Sequence, residues 1–177
     1  MPVVTITGRL PTVKEDKFNV QIRYRDPNNE DLNFDDICSL SVQGTSSLDY
    51  AVKNYKLKFS TNHQHAKEQL PTKVFCLKAD YAEATGTHNT QNANFIHTLY
   101  DEEYATPAQL DEPRCRTTIY GFPCVVFHKA NDSATPVFLG KYNFNYDKGS
   151  ENVFGFTENY DVECWEFCNN LSDTCFF

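Results

Sequence analysis

The sequence predicts an α+β domain: a twisted, mainly antiparallel sheet accompanied by one principal helix. Several separate runs alternate apolar and polar residues with a period of two, which is typical of strands with one buried face. A single stretch changes to helical spacing. The chain has 177 residues, with 14 Phe and 10 Tyr among them. That length and this supply of rings predict one β-rich domain, residues 1–177, with an aromatic core.

The first strands form a predicted hairpin. In the clearest alternating run, every second residue is apolar: Phe18, Val20, Ile22 and Tyr24. Residues 26–29 (Asp-Pro-Asn-Asn) have the composition of a tight turn, since Pro fixes φ and Asn tolerates a left-handed backbone. Leu32 and Phe34 would open the return strand, and Cys38, Leu40 and Val42 form another alternating set that ends at residues 43–44.

Later strands follow from shorter runs. Alternation over residues 54–59 predicts a strand with Tyr55, Leu57 and Phe59 inward. We expect a polar loop over 60–73, and further strands over 73–78, 114–120, 124–128 and 137–146. The segment 121–123 would connect two of these strands. Residues 147–150 predict a turn, and two short strands over 153–156 and 162–167 complete the sheet.

One helix is predicted near residues 88–100, within the segment 87–103. Ala93, Ile96 and Tyr100, with Leu99 beside them, share one helical stripe. Thr87 or Asn89 would cap its first turn.

Lys53 is the candidate site residue. Extending the alternation of residues 54–59 backwards places Lys53 on the inner face of its strand. A lysine directed at a core is costly unless its ammonium meets an anion, a cavity or water. Two interpretations stay open: the ammonium contacts a nucleotide phosphate, or it extends to solvent from the start of the strand.

Composition and missing motifs exclude several function classes. The formal charge is −8 and the isoelectric point is near 5, so we expect no nucleic-acid partner. No run of about 18 apolar residues occurs, so we expect no membrane span. The N-terminus does not resemble a secretory signal, which predicts synthesis in a reducing cytoplasm. Neither G-x-S-x-G nor G-x-G-x-x-G is present, which argues against serine hydrolases and dinucleotide-binding enzymes.

The spacing of the cysteines and histidines does not match that of a zinc site. Three thiols lie at Cys164, Cys168 and Cys175, and two imidazoles lie at His63 and His65. Zinc sites usually match one C-x₂₋₄-C pair with a second pair, and no second pair is found. We therefore predict buried free thiols and no metal site.

Several segments carry a family resemblance. Residues 43–47 (Gln-Gly-Thr-Ser-Ser) and 50–58 (Tyr-Ala-Val-Lys-Asn-Tyr-Lys-Leu-Lys) resemble the lysine-rich strand of the spore-coat CotH kinase family. The resemblance is to the divergent form found in tailed bacteriophages and prophages. The same family is also resembled by four later segments, at residues 77–81, 86–90, 120–123 and 140–149. Together the resembling segments span about residues 38–170.

The resemblance implies a protein-kinase-like fold, of which this chain would form the β-rich N-terminal lobe. Lys53 then resembles the lysine of that lobe that holds nucleotide phosphates. The acids that bind metal and position the substrate in a kinase have no counterpart in this sequence. The resemblance thus implies that the chain is the N-terminal part of a longer protein and performs no catalysis alone.

Two functions follow from this resemblance. The first is a bacteriophage virion structural protein, in the tail or another exterior assembly, made in the host cytoplasm. It would have no cofactor, and it would pack against other virion proteins in many copies. The alternative is the N-terminal lobe of an ATP-dependent CotH-type protein kinase, which would use ATP and Mg²⁺.

Overall fold

The computed structural model describes residues 1–103 and 105–156. These residues form seven strands: β1 (Val3–Thr7), β2 (Lys17–Arg25), β3 (Phe34–Gln43), β4 (Asn54–His63), β5 (Thr72–Lys78), β6 (Gly121–Lys129) and β7 (Val137–Tyr146). The α-helices among them are α1 (His88–Glu103) and α2 (Pro107–Asp111). Short 3-10 turns lie at Glu30–Leu32, Ser46–Asp49 and Glu151–Phe154.

The seven strands close into a barrel with the order β1-β2-β3-β4-β5-β7-β6. Strands β1 to β5 pair antiparallel in sequence order, and β7 pairs antiparallel with both β5 and β6. A parallel pairing of β1 with β6 closes the ring, with Val3 opposite Val125 and Thr7 opposite Lys129. Each strand therefore has two neighbours.

The closed barrel overturns the predicted fold class. The prediction of an open, twisted α+β sheet resembling a kinase N-terminal lobe is wrong. Strand β1 pairs with β2 on one side and with β6 on the other, and this closes the sheet into a ring. Residues 3–7 pair with a strand more than a hundred positions away in the sequence. Alternation within one strand indicates which face is buried, but it does not indicate which distant strand lies beside it.

The barrel interior is the main core. Alternate residues of each strand point inward, as predicted for β2 and β4. Tyr24, Leu40, Leu57 and Phe144 are fully buried in this cluster. The inward rings pack in stacked and edge-on arrangements, such as Tyr24 on Phe34 at 5.3 Å between centroids.

The segment predicted as a polar loop instead packs against the core. Strand β4 continues to His63 and β5 begins at Thr72, so the connection is shorter than the predicted 60–73. Its backbone is held by tyrosines: Tyr24 Oη donates to His65 O (3.1 Å) and Tyr146 Oη to Leu70 O (2.8 Å). His65 is fully buried against Phe75, Tyr120, Phe122, Phe144 and Tyr146. A polar composition did not predict this burial.

Two further strand predictions are wrong. Residues 114–120, which precede β6, form no strand. Residues 121–123, expected to connect two strands, are instead the start of β6. There Phe122 lies opposite Phe144 and contacts the core. Residues 151–154 form a 3-10 turn where a strand was expected. The strand predicted over 162–167 lies outside the described residues.

Helix α1 confirms the predicted principal helix. It begins at His88, directly after Thr87. The side chain that accepts an amide hydrogen at this end is Glu83, whose Oε2 lies 3.0 Å from the amide nitrogen of His88. We name residues 79–113, which carry both helices, the covering segment. They follow β5 and precede β6, and among the described residues, 80–86 hydrogen-bond to the outer face of β7.

Candidate functional site

Lys53 lies directly before β4 with its ammonium bound to the backbone. Its Nζ donates to Leu48 O (2.5 Å), in the 3-10 turn before the strand, and to Tyr50 O (2.7 Å), just after that turn. A small cleft of about 290 Å³ lies beside it, lined by its neighbours Val52 and Asn54. The role of Lys53 in nucleotide binding stays a prediction, although the kinase-lobe architecture that motivated it is wrong.

Polar side chains are buried on the outer face of β5 and β7. Since Tyr142, Phe144 and Tyr146 point into the barrel, the alternate residues Asn143 and Asn145 point outward. They are nevertheless only 0% and 5% exposed. On β5, Cys76 also points outward and is buried. The outer face here is therefore a second, polar buried layer.

The covering segment hydrogen-bonds to one of these buried side chains, Asn143. Asn143 Nδ2 donates to Asp80 Oδ2 (2.6 Å) and to Gly86 O (2.7 Å). Lys141 Nζ also donates to Gly86 O. Thr118, just after the segment, donates to Ala93 O of α1 at 2.9 Å. These bonds hold α1 beside the barrel and replace the water that outward-facing polar groups would otherwise contact.

Asp147 accepts more hydrogen bonds than the other side chains described in this layer. Its Oδ1 accepts from Lys56 Nζ (2.7 Å) and from the amide nitrogen of Gly149 (2.9 Å). Its Oδ2 accepts from Gln43 Nε2 (2.8 Å) and from Cys76 Sγ (3.0 Å). The Asp147 side chain is 1% exposed, against 36% for Lys56. A buried carboxylate that accepts four hydrogen bonds joins β3, β4, β5 and the turn after β7.

The pKa values in this cluster identify the charge states. Burial alone raises the pKa of Asp147, but the hydrogen bonds from Cys76 and Lys56 outweigh it, so this pKa lies below its usual value. Burial, reinforced by the Asp147 charge, raises the pKa of the Cys76 thiol to about 12. At neutral pH, Asp147 is a carboxylate and Cys76 is a neutral S–H donor, not a nucleophilic thiolate.

A cleft of about 940 Å³ lies between this layer and α1. The barrel supplies Gln43, Cys76, Asn145 and Asp147 to its lining. Helix α1 supplies the opposite wall, with Asn89, Asn92, Ala93 and Ile96.

Further lining residues determine the character of the cleft. Three lysines line it, Lys14, Lys78 and Lys148, while Ile119 and Ile96 add apolar surface. The cleft thus combines a polar floor, an apolar wall and several cationic groups, the composition expected of a small-molecule site.

The histidines singled out by spacing do not form one site. His63 Nε2 lies 2.7 Å from Asp36 Oδ2, and its ring stacks on Phe34 at 4.0 Å. His65 lies in the aromatic core, where burial lowers the pKa of its imidazole to about 3. Within residues 1–103 and 105–156, no three His, Cys, Asp or Glu side chains come together as metal ligands.

The cysteines of the described residues are buried free thiols, as predicted: Cys38, Cys76, Cys115 and Cys124. Burial raises the pKa of Cys38 and of Cys124 to about 12. Cys164, Cys168 and Cys175, also predicted to be free thiols, lie outside the described residues.

Sequence reasoning missed the cluster around Asp147 and the cleft above it. Asp147 was assigned to a turn, which is correct, since the amide of Ser150 donates to Asp147 O at 2.9 Å. Lys56 and Gln43 occupy the polar positions of alternating strands. Such positions are expected to face water, but here both side chains donate to the buried carboxylate of Asp147.

Comparisons of this sequence with models of protein families and with curated proteins find no match. The resemblance to CotH-like phage proteins therefore stays a prediction that depends on the quoted residues. Neither helix in the described part of the chain has the length and apolar composition needed to cross a membrane.

Proposed function

We propose that this protein is a packing module of a bacteriophage virion, in the tail or another exterior assembly. In this role it binds a neighbouring virion protein through helix α1. The sequence resemblance over residues 38–170 supports the phage origin. The exposed surface of α1 supports the mode of action, and it is the observation that carries the proposal.

Helix α1 presents large apolar side chains to solvent. Phe95 is 62% exposed, Leu99 49%, Tyr100 44% and Ile96 38%. Positions 95 and 99, and positions 96 and 100, are each four residues apart, so the four side chains form one continuous stripe. Contiguous exposed apolar surface generally marks a protein interface. The helical stripe predicted from the sequence contains Ile96, Leu99 and Tyr100 but not Phe95, and much of each of these side chains is exposed.

The closed barrel favours contact through this helix. An open sheet binds partners by adding a strand to its edge. Here every strand has two neighbours. The backbone groups of β1 and β6 pair with each other at the place where an open sheet would have its two edges. Association must then use side-chain surfaces, and the α1 stripe is a continuous apolar surface of that kind.

Charge indicates the chemistry of the partner. The covering segment contains seven Asp or Glu and no Lys or Arg, so it carries most of the net charge of −8. The remainder of the chain is nearly neutral. We infer that the partner surface is apolar at its centre and basic at its rim, since opposite charges steer association and reject wrong partners.

The test uses purified virions of the phage that encodes this chain. Peptides from the chain should be present in their mass spectrum in stoichiometric amount. In a phage carrying Phe95→Ser and Leu99→Ser together, we expect incorporation to fall at least tenfold, as expected when central apolar anchors are lost.

Ile37→Ser is the matched control. Ile37 is 61% exposed on β3, on the barrel and not on the covering segment, and its replacement should leave incorporation unchanged. Virions that lack the chain would refute the proposal. Equal incorporation of the helix variant and the control would refute the role of α1.

A further inference from the structure

We infer that the partner of the α1 stripe is a second copy of this chain, which receives the stripe on the outer face of β1 and β6. The inference rests on the proposed packing role, because it names the partner that this role requires. Three features of the described residues carry it: an apolar patch on that face, an excess of positive charge around the patch, and the opposite charges of the barrel and the covering segment.

The outer face of β1 and β6 carries apolar side chains. Alternate residues of these strands fill the core, as with Val4 and Val126. The positions between them therefore point outward, and they include Val3, Val125 and Phe127. Val3 lies directly opposite Val125 in the parallel register. All three outward side chains are only partly buried.

A bulge in β7 adds a fourth apolar side chain, Phe138. Val126 lies opposite Gly140, but the next residue, Phe127, lies opposite Phe138. The register therefore skips Leu139, and one extra residue reverses which face the strand presents beyond it. Phe138 is thus outside the barrel and 58% exposed, with its ring 5.6 Å from that of Phe127. We name four residues the barrel patch: Val3, Val125, Phe127 and Phe138.

Positive charge surrounds the barrel patch. Four cations occupy outward positions next to it: Arg23, Arg25, Lys129 and Lys141. Asp35 pairs with both arginines, at 3.2 and 2.6 Å. The lysines donate to the carbonyls of Asp132 and Gly86, and a carbonyl does not neutralise an ammonium. The four cations therefore outnumber the two acids, Asp35 and Asp132, among these contacts.

The whole barrel is opposite in charge to the covering segment. Residues 1–78 and 114–156 contain 16 Lys or Arg and 12 Asp or Glu, an excess of four positive charges. The covering segment, which carries the α1 stripe, contains seven acids and no Lys or Arg. Opposite charges favour the approach of a stripe to a barrel patch, whereas two stripes would bring two acidic segments together. The barrel patch is apolar at its centre and basic at its rim, as expected of the α1 partner.

The stripe and the barrel patch are different surfaces, so each chain binds two others. The stripe of one copy meets the patch of the next, and this head-to-tail contact repeats into a ring or a filament. Four half-exposed side chains offer roughly 400 Å². That is about half of what a stable interface buries on each partner, so a single contact is weak. In an assembly of many copies, the high local concentration compensates for this weakness.

Sedimentation velocity of the purified full chain tests self-association. Between about 10 and about 500 µM, the weight-average sedimentation coefficient should rise by a factor of about 1.3 or more, as expected of a weak contact. Raising the NaCl concentration from about 0.05 to about 0.5 M should reduce this rise, because salt screens the attraction between the charged surfaces.

Variants remove each surface separately. Phe95→Ser with Leu99→Ser removes the stripe, and Phe138→Ser removes the most exposed part of the barrel patch. All three side chains are exposed, so the fold should persist. Each variant alone should stay monomeric at about 500 µM, the upper concentration of the weak-contact test. Ile37→Ser, an exposed position on β3 outside the patch, is the matched control and should associate like the wild-type protein.

An equimolar mixture of the stripe variant and Phe138→Ser gives the sharpest result. The first retains an intact barrel patch and the second an intact stripe. One contact forms between them, and the surfaces left over are both damaged. The mixture should therefore contain dimers and no larger species.

Three outcomes would overturn the inference. The first is a wild-type chain that stays monomeric over the whole concentration range. The second is association that Phe138→Ser leaves unchanged, which would place the contact elsewhere. The third is a mixture that stays monomeric although the wild-type protein associates, which would indicate that stripes pair with each other.

Failure of this inference is distinguishable from failure of the packing role. If the chain is monomeric in solution while the stripe variant still loses incorporation into virions, the partner of α1 is another protein and the packing role stands. If the chain associates as expected but is absent from virions, the virion role fails and the contact between copies remains.

Discussion

The barrel interior and the outer face of β5 and β7 both contain buried side chains, but the chemistry of those side chains is opposite. Inside, Phe75, Leu57 and Phe144 are fully buried among other apolar side chains. Outside, beneath the covering segment, the buried residues are polar, as with Asn143 and Asp147. Successive residues of β7 alternate between these two layers. Burial in this protein therefore does not imply apolar character: β5 and β7 each contribute to two buried layers held by different forces.

The two layers respond differently to a lost side chain. In the interior, removal of a ring loses apolar burial and leaves a cavity. In the outer layer, removal of one polar partner leaves the other buried without a hydrogen bond. Three measurements test this distinction.

The largest effect is expected from Phe144→Ala. Phe144 is fully buried and contacts the rings of Tyr24, Phe75 and Phe122. Truncation should lower the free energy of unfolding by about 3–5 kcal/mol. Phe138, on the same strand but 58% exposed, is the control, and its change to alanine should cost less than about 1 kcal/mol. Urea denaturation measures both, and equal losses would show that the interior is not the main core.

The outer layer is tested by Asp147→Ala. This change leaves Lys56, Gln43 and Cys76 without their common acceptor. We expect a loss of roughly 2–4 kcal/mol, below the upper range for a broken buried ion pair because Lys56 can turn toward water. Asp35 pairs with Arg23 and Arg25 at the surface, so Asp35→Ala should cost under about 1 kcal/mol. Chemical denaturation of the two variants gives the comparison, and similar losses would contradict a buried polar layer.

The third test titrates His65, a polar group that contacts the interior rings. Burial lowers the pKa of His65 to about 3, so the folded protein keeps it neutral, whereas the unfolded chain binds a proton below about pH 6.5. Its contribution to stability is therefore complete above pH 6.5 and decreases as the pH falls toward 3. Below pH 6, the slope should approach about 1.4 kcal/mol per pH unit.

Unfolding at pH 7.0 and at pH 5.5 measures this effect. Over that range, carboxyl groups change their protonation little, because their ordinary pKa values lie near 4. His65→Phe keeps the ring contacts and should flatten the pH dependence. If the variant and the wild-type protein lose the same stability on acidification, another group is responsible.

Much of the local structure was predictable because it depends on neighbouring residues. The alternation of apolar residues from Phe18 to Tyr24 gave β2 and its buried face correctly, and the helical spacing around Ile96 gave α1. The failures involve distant partners. Strand β1 completes the barrel through β6, and His65 is buried because a connection folds against Phe75 and Tyr146.

The candidate site was less predictable than the fold. Lys53 is the candidate site residue because strand alternation places it on an inner face, but its ammonium donates to the carbonyls of Leu48 and Tyr50. Lys56 and Asp147 are 91 positions apart in the sequence, and each looks like an ordinary surface residue. Their pairing became recognisable only once β4 and the end of β7 were placed side by side.

The sequence by itself determined where β2 and β4 lie and which of their residues face inward, because apolar alternation and turn chemistry act over a few residues. Tertiary structure alone decided that the sheet closes and that residues 79–113 cover its outer face. It also decided that polar side chains beneath that segment become a buried layer with a cleft. The physical reason is that pairing between distant strands, and the exclusion of water by a covering segment, depend on where the whole chain lies.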